Sequence, residues 1–177
     1  MSAGRNISSA SLRQESSGTA ACTIPADLIA LAQSGVGIAV ASCDANGRPV
    51  LGLGVGCRIN GQRLFRILLD RRANTQLIEA ILGGSAVAAT MTSARDHTSF
   101  QVKAPQARIA YARPDDLPEL DRQQALLCEG LVELGYTAEQ AASYAPYADA
   151  DLVAVEFVPA KVFIQTPGPG AGKEIER

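Results

Sequence analysis

Arginine gathers on one short stretch of this chain: Arg58, Arg63, Arg66, Arg71 and Arg72, opposed there only by Asp70. The whole chain carries a formal net charge of −2, so the excess belongs to this stretch and not to the composition. Arg71 and Arg72 stand just before a segment with helical periodicity, and Thr75 falls in its first turn. A helix start offers unpaired N–H groups and the positive end of the macrodipole, and adjacent guanidinium groups add paired donors. Those residue types in that order suit a phosphate. The competing reading is a basic hairpin turned to water, which Arg63 and Arg66 are expected to follow.

Two further sets bear on chemistry. Gly52, Gly54 and Gly56 recur at every second position of a strand-like run, which would put them on one face and leave that face bare. A flat ring or another chain could approach the backbone there, or the glycines could simply relieve crowding at a barrel corner. They are not a dinucleotide fingerprint, because Cys57 stands where a third spaced glycine would be needed. Ser99, Gln101 and Lys103 alternate on one side of a later run, so Gln101 and Lys103 can address a ring carbonyl or an anion, or water at an edge. His97 is the only histidine and has no cysteine or acid at ligand spacing, so a turn histidine is expected and no metal site. No Ser-His-Asp or Cys-His set is visible, and no catalytic residue is assigned.

The elements that must hold these groups follow from pattern. With 177 residues, 47% hydrophobic and 19% charged, one soluble globular domain is expected. The charge balance gives no tilt toward nucleic acid, and no apolar run reaches the ~18 residues of a membrane span. Cys22, Cys43, Cys57 and Cys128 form no C-x-x-C pair and read as free thiols of a reducing cytoplasm. No secretory leader is expected, since no hydrophobic segment follows Arg5 and Arg13.

Residues 1–22, rich in serine, read as a disordered tail, 23–166 as the domain, and 167–177 as an irregular C-terminal tail. A short helix opens near Ile24 and stops at Gly35. Strands follow at 36–42 and 49–59, then an Asn60-Gly61 type I′ turn and a third strand to Leu69. A helix at 73–82 ends on Gly83-Gly84. A strand pair spans 85–103, and its second member continues as 106–111. A helix at 115–134, a capping box of Thr137 and Gln140, and one long strand from Leu152 to Gln165 broken at Pro159 complete the chain. Sequential hairpins with few helices predict a mainly β, α+β fold, a small antiparallel barrel. The segment 115–156 holds most of the acids and reads as a solvated helical face.

This element order, with four motifs, resembles the pyridoxamine 5′-phosphate oxidase-like FMN-binding split-barrel family from about Ser34 to Gln165. The motifs are Asn46-Gly47-Arg48-Pro49, the Asn60-Gly61 hairpin, the helix after Arg71-Arg72, and Phe100-Gln101-Val102-Lys103. The ending Phe163-Ile164-Gln165-Thr166-Pro167-Gly168-Pro169-Gly170 is similar to members of the same group. The resemblance implies a homodimer with two flavin sites at its interface, and an FMN-dependent oxidoreductase acting on a small molecule. It implies that the strand backbone at Val55 and Gly56 lies along the isoalloxazine, that Arg72 holds the phosphate, and that Gln101 reaches the ring.

Two of the family's phosphate cations fall on Leu53 and Ala73, which leaves Arg58 or Arg71 to substitute. The expected FMN-binding set is therefore Val55, Gly56, Arg58, Arg71, Arg72, Thr75, Gln101 and Lys103. The arginine-rich C-terminal motifs of the true oxidases are missing, so vitamin B6 oxidation is not expected. The alternative is a non-catalytic barrel that binds haem or another ligand, or a dimeric scaffold with a vestigial flavin site.

Overall fold

A computed structural model describes residues 22–61 and 63–175, so the expected tail at 1–21 lies outside the described residues. In chain order the elements are α1 (Ala26–Ala32), β1 (Gly37–Cys43), β2 (Pro49–Asn60), β3 (Leu64–Asp70), α2 (Thr75–Leu82), β4 (Val87–Thr92), β5 (Ser99–Ala104), β6 (Arg108–Tyr111), α3 (Leu117–Glu133) and α4 (Ala138–Ala142), then β7 (Leu152–Phe157) and β8 (Lys161–Ile164). All strand pairs are antiparallel, in the order β6-β7-β3-β2-β1-β4-β5-β8. This is the α+β architecture that the hairpin pattern predicts.

The order itself shows that the sheet is rolled. β7 and β8 are joined by residues 158–160 only, yet six strand spacings separate them in the sheet. Laid flat, those spacings would cover roughly 29 Å, about twice what so short a link can span. The sheet therefore curls until its two sides meet at the link. Ala160 N–H donates to Lys103 C=O at 2.8 Å and Cys22 N–H to Pro159 C=O at 3.3 Å, fixing the seam.

Period-two alternation fills the inside. Ile38, Val40, Ile67, Leu69, Ala89, Met91, Phe100, Val102, Val155 and Val162 are buried in one core, to which α1 adds Leu28 and Ala32 and α2 adds Leu77, Ile78 and Ile81. Phe65 and Phe157, paired across β3 and β7, stack with ring centroids 5.5 Å apart. Burying one such ring contributes ~2 kcal/mol, and the aromatic pairing adds ~1 kcal/mol. A smaller cluster of Val55, Leu68, Leu120, Ala145 and Leu152 lies on the outside of β2 and β3, under α3.

Four expectations are corrected. The strand expected to continue from 103 to 111 is two strands, because β5 pairs with β4 and β8 whereas β6 pairs with β7. The single long strand expected at 152–165 is likewise β7 and β8, split at Pro159 onto opposite sides of the sheet. Proline has no N–H for a ladder, and the chain turns there. The β2–β3 connection is a three-residue loop, 61–63, since Asn60 pairs with Leu64. Finally, Cys22 is buried core and not tail, and the C-terminal segment folds back along β8. There Ile164 N–H donates to Lys173 C=O, Ile175 N–H to Val162 C=O, and Phe163 bridges Glu174, covering what would otherwise be a bare edge. No helix among the described residues is long and apolar enough to cross a membrane.

Candidate functional site

The expected site spans two regions of the barrel's outer surface. The first is β2 beyond Gly54. β1 pairs with β2 only as far as Gly54, so the following residues of β2 have one edge without a strand. A bulge between Gly54 and Gly56 shifts the register there, and it changes which way the backbone faces. A Cβ on Gly52 would meet Asn74 and Leu77, and one on Gly54 would meet Ile38 and Ile67 inside the barrel. A Cβ on Gly56 would instead collide with Leu120 of α3 at 2.5 Å, on the outside. The three glycines therefore do not share a face. Each gives room to the protein's own packing.

Glutamine side chains replace the missing strand. Gln123 Oε1 accepts from Cys57 N–H at 2.9 Å while its Nε2 donates to Cys57 C=O at 2.7 Å. Gln124 Nε2 donates to Val55 C=O, and Gln33 Oε1 accepts from Ile59 N–H at 3.1 Å. Residues 55, 57 and 59 present their edge groups at the two-residue repeat of a strand, and each is met by an amide. Val55 and Gly56 are consequently covered by α3. Burial, with a smaller push from Glu119, raises the Cys57 thiol to about 12, which keeps it inert.

Below this edge lies a row of charge. Arg58 is opposite Arg66, Arg66 opposite Glu156, and Glu156 opposite Arg108 across β2, β3, β7 and β6. Arg66 is 1% exposed and fully engaged: Nε and Nη2 bond Asp116, Nη1 bonds Glu156 and Nη2 bonds Tyr111 C=O. Arg58 pairs with Asp115 at 2.8 Å and Asp116 at 3.0 Å. Burial alone would raise the Asp116 carboxyl, but hydrogen bonds from Arg66, from Arg113 N–H and from Arg58 outweigh it and hold the group at about 2. Among the described residues no hydrogen-bond donor is aimed at Glu156 Oε2, although Arg108 Nη2 lies 2.5 Å away as an ion-pair partner. Arg66 thus belongs to a buried network, correcting its expected place on a water-facing hairpin. The acids of 115–156 read as a solvated face supply its counter-charges. A regularly spaced glutamine or an acid before a helix carries no pattern that separates such a role from ordinary solvation, so sequence reasoning missed Gln123, Asp116 and Glu156.

The expected phosphate position is at the start of α2. Asp70 Oδ1 already accepts from the N–H groups of Arg72 and Ala73, each at 2.9 Å. A carboxylate of the chain thereby closes the turn that leads into α2, whose N-cap residue, Asn74, makes no side-chain capping bond. Thr75 Oγ1 bonds back to the carbonyls of Arg71 and Arg72. Arg71 and Arg72 both reach the largely buried Asp151, at 3.0 Å and 2.8 Å. A groove of about 530 Å³ runs past Arg71, Ile78, Leu82, Ile109, Tyr111 and Leu152, away from Gln101 and Lys103.

The second region is the outer face of β2, β1, β4, β5 and β8, which α3 leaves open along much of its width. Register places Leu53, Ala39, Thr90, Gln101 and Phe163 in one row, and Leu51, Ala41, Ala88, Lys103 and Lys161 in the next. Gln101 Nε2 donates to Thr90 Oγ1 at 2.9 Å, and Lys103 Nζ lies 4.7 Å from the centre of the Phe163 ring. Both face outward, as their alternation predicts. Two strands of the sheet order, β1 and β4, lie between them and Arg58 on β2. His97, with φ 58°, is the only described non-glycine residue in the left-handed region. Among the described residues no group of three or more His, Cys, Asp or Glu could hold a metal ion.

The structure therefore divides the eight expected FMN contacts. Val55, Gly56 and Arg58 lie on or beside the stretch covered by α3, Arg71, Arg72 and Thr75 at and just before the start of α2, and Gln101 and Lys103 on the open face. Within this chain the β2 backbone groups of Val55 and Cys57 are bonded to Gln124 and Gln123, and the N–H groups of Arg72 and Ala73, in the turn before α2, to Asp70.

No family model and no curated protein sequence matches the chain. Solved structures do. A candidate pyridoxamine 5′-phosphate oxidase from Lactobacillus delbrueckii superposes with a TM-score of 0.50 at 16% identity, over 80% of this chain and 93% of that one. HupZ of Group A Streptococcus gives 0.51 at 15% identity over 84% and 99%, and an F420 reductase gives 0.53 at 16% over 78% and 98%. Identity this low speaks to the backbone and not to the site. The chain has the fold of the pyridoxamine 5′-phosphate oxidase-like FMN-binding split barrels.

Proposed function

We propose that this chain is a homodimeric split-barrel binding protein for a small molecule, without a resident flavin and without redox chemistry of its own. One observation carries the reading: the backbone edge of β2 where the resemblance lays the isoalloxazine is satisfied by Gln33, Gln123 and Gln124 of the same chain. FMN would have to displace three buried or half-buried amides, each worth ~1 kcal/mol net and more if its partner is stranded. The test is the absorbance spectrum of the purified protein followed by FMN titration. A colourless protein that leaves FMN fluorescence unchanged agrees with the proposal; stoichiometric yellow flavin overturns it, and a Soret band assigns the binding role to haem.

The homodimer rests on the open face. Leu51 is 70% exposed in one row with the small residues Ala41 and Ala88, a flat surface that a second copy can approach closely. Sedimentation of the wild type and of Leu51→Arg tests it, since only the variant should run as a monomer. The four free thiols suit a reducing cytoplasm, and the net charge of −2 favours a small ligand over nucleic acid.

A second reading, an FMN-dependent oxidoreductase, is favoured by the outward placement of Gln101 and Lys103 and by two arginines sharing the single carboxylate of Asp151. In that case Arg72→Ala weakens FMN binding far more than Arg63→Ala does.

A further inference from the structure

Where the open sheet face meets α3, a half-open cavity of about 180 Å³ remains that none of the contacts above uses. Gly37 and Ala39 of β1 form its floor, Leu127 and Leu131 of α3 one wall, and Thr90, Thr92, His97 and Tyr144 its polar rim. The floor is low for a reason: a Cβ on Gly37 would come within 3.1 Å of Tyr144 Oη, so glycine keeps the hydroxyl end of Tyr144 clear of β1.

The rim is unusually free. Thr90 Oγ1 accepts from Gln101, which leaves its own proton available, while among the described residues no hydrogen bond engages Thr92 Oγ1, Tyr144 Oη or the His97 ring. His97 is held at the rim by a turn, with its N–H on Ser93 C=O at 3.1 Å and the neighbouring Thr98 N–H on Asp96 at 3.0 Å. That turn sets its φ of 58°, a conformation that costs a residue with a side chain free energy and recurs at ligand sites. Hydroxyls supply both donor and acceptor capacity, and the imidazole ring adds two nitrogens. No Asp, Glu, Lys or Arg lines the cavity, and the two charged residues of the adjoining turn are engaged elsewhere, Arg95 with Glu133 and Asp96 with Thr98 N–H.

We infer that this cavity binds a neutral, one-ring molecule that carries hydroxyl or amide groups on its edge, such as a phenol or a pyrimidine base. The volume sets the size, because drug-sized ligands need ~300 Å³ or more and a three-ring flavin would not enter. The leucine wall and glycine-alanine floor accept the ring faces, and the rim reads the edge. A charged analogue would lose part of its hydration there with no Asp, Glu, Lys or Arg in the lining to replace it, and should bind more weakly. This names a ligand class for the binding role proposed above and rests on that reading.

Phenol and uracil are the probes, with benzoate as the charged control, titrated into the full-length protein labelled for NMR. Saturable shifts at the amides of Gly37, Thr90, Thr92 and His97 with phenol or uracil, and at least tenfold weaker binding of benzoate, are expected. Ala39→Leu should abolish the shifts by filling the floor, and Arg63→Ala should leave them unchanged. If Ala39→Leu does not fold, the pair Thr92→Val and Tyr144→Phe keeps the volume and should cost at least tenfold in affinity. Absence of shifts with both neutral probes, benzoate binding as well as phenol, or full binding by the filled or rim variants overturns the inference. A yellow protein that still binds phenol would sink the flavin-free reading and leave this site standing.

Discussion

The two halves of the barrel's outer surface are built on opposite terms. Over the end of β2 and over β3 and β7 the outward residues include Arg58, Arg66 and Glu156, with Arg108 of β6 at the margin, and α3 with its leading turn packs against this row. Over the start of β2 and over β1, β4, β5 and β8 they are chiefly small or uncharged, and much of that area is left bare. The closed half is expensive to desolvate and holds only because every charge finds a partner. The open half needs no partners to fold, which is what a surface kept for another molecule requires.

Breaking the closed half should have the largest effect. Arg66→Ala strands Asp116 and Glu156 in the interior and is expected to cost ~3–5 kcal/mol, read as a large fall in the urea midpoint. A variant as stable as the wild type would mean the network contributes nothing. Gln123→Ala comes next. It leaves both backbone groups of Cys57 buried and unmet, for ~1–3 kcal/mol, and exposes the amide of Cys57 to faster hydrogen exchange while more distant core amides keep their protection.

Acid sharpens the same contrast. Asp116 sits at about 2 when folded against 3.8 ordinarily, so its contribution is complete above 3.8 and disappears as pH falls through about 2. Linkage makes that roughly 2 kcal/mol. The difference between wild type and Asp116→Asn should therefore shrink on acidification through this window, and a constant difference would refute the assignment. Smallest is Leu51→Ala on the open half, expected to change monomer stability by no more than ~0.5 kcal/mol. A fall of several times that would show the face to be packed within one subunit.

Much of the fold was legible because it depends on short-range rules. The alternation of β4 and β5, the stop at Gly83-Gly84 and the Thr137–Gln140 capping box are local signals, and they hold in the structure. The site was less legible because its decisive contacts are distant in the chain. Gln123 meets Cys57 across 66 residues and Glu156 meets Arg66 across 90, and nothing in either sequence neighbourhood announces the other. The glycine stripe shows the same limit. Period two predicts one face for Gly52, Gly54 and Gly56, and a single bulge undoes it. The arginine cluster was real as composition, but half of its meaning lay in acids that the fold brings from elsewhere.

The short link at Pro159 has a consequence for how the molecule is made. The strands that flank it are the last of the sheet to be synthesised, and each completes a different side of it: β7 pairs with β3, and β8 with β5. Until those two strands emerge, the nascent chain presents two unfinished borders, both rich in apolar side chains and both able to pair with a neighbour on the same message. Closure must then join Phe65 to Phe157 across about half of the chain, a long-range step that slows folding. The time between synthesis of β5 and β8 is therefore the interval in which this barrel depends most on being shielded.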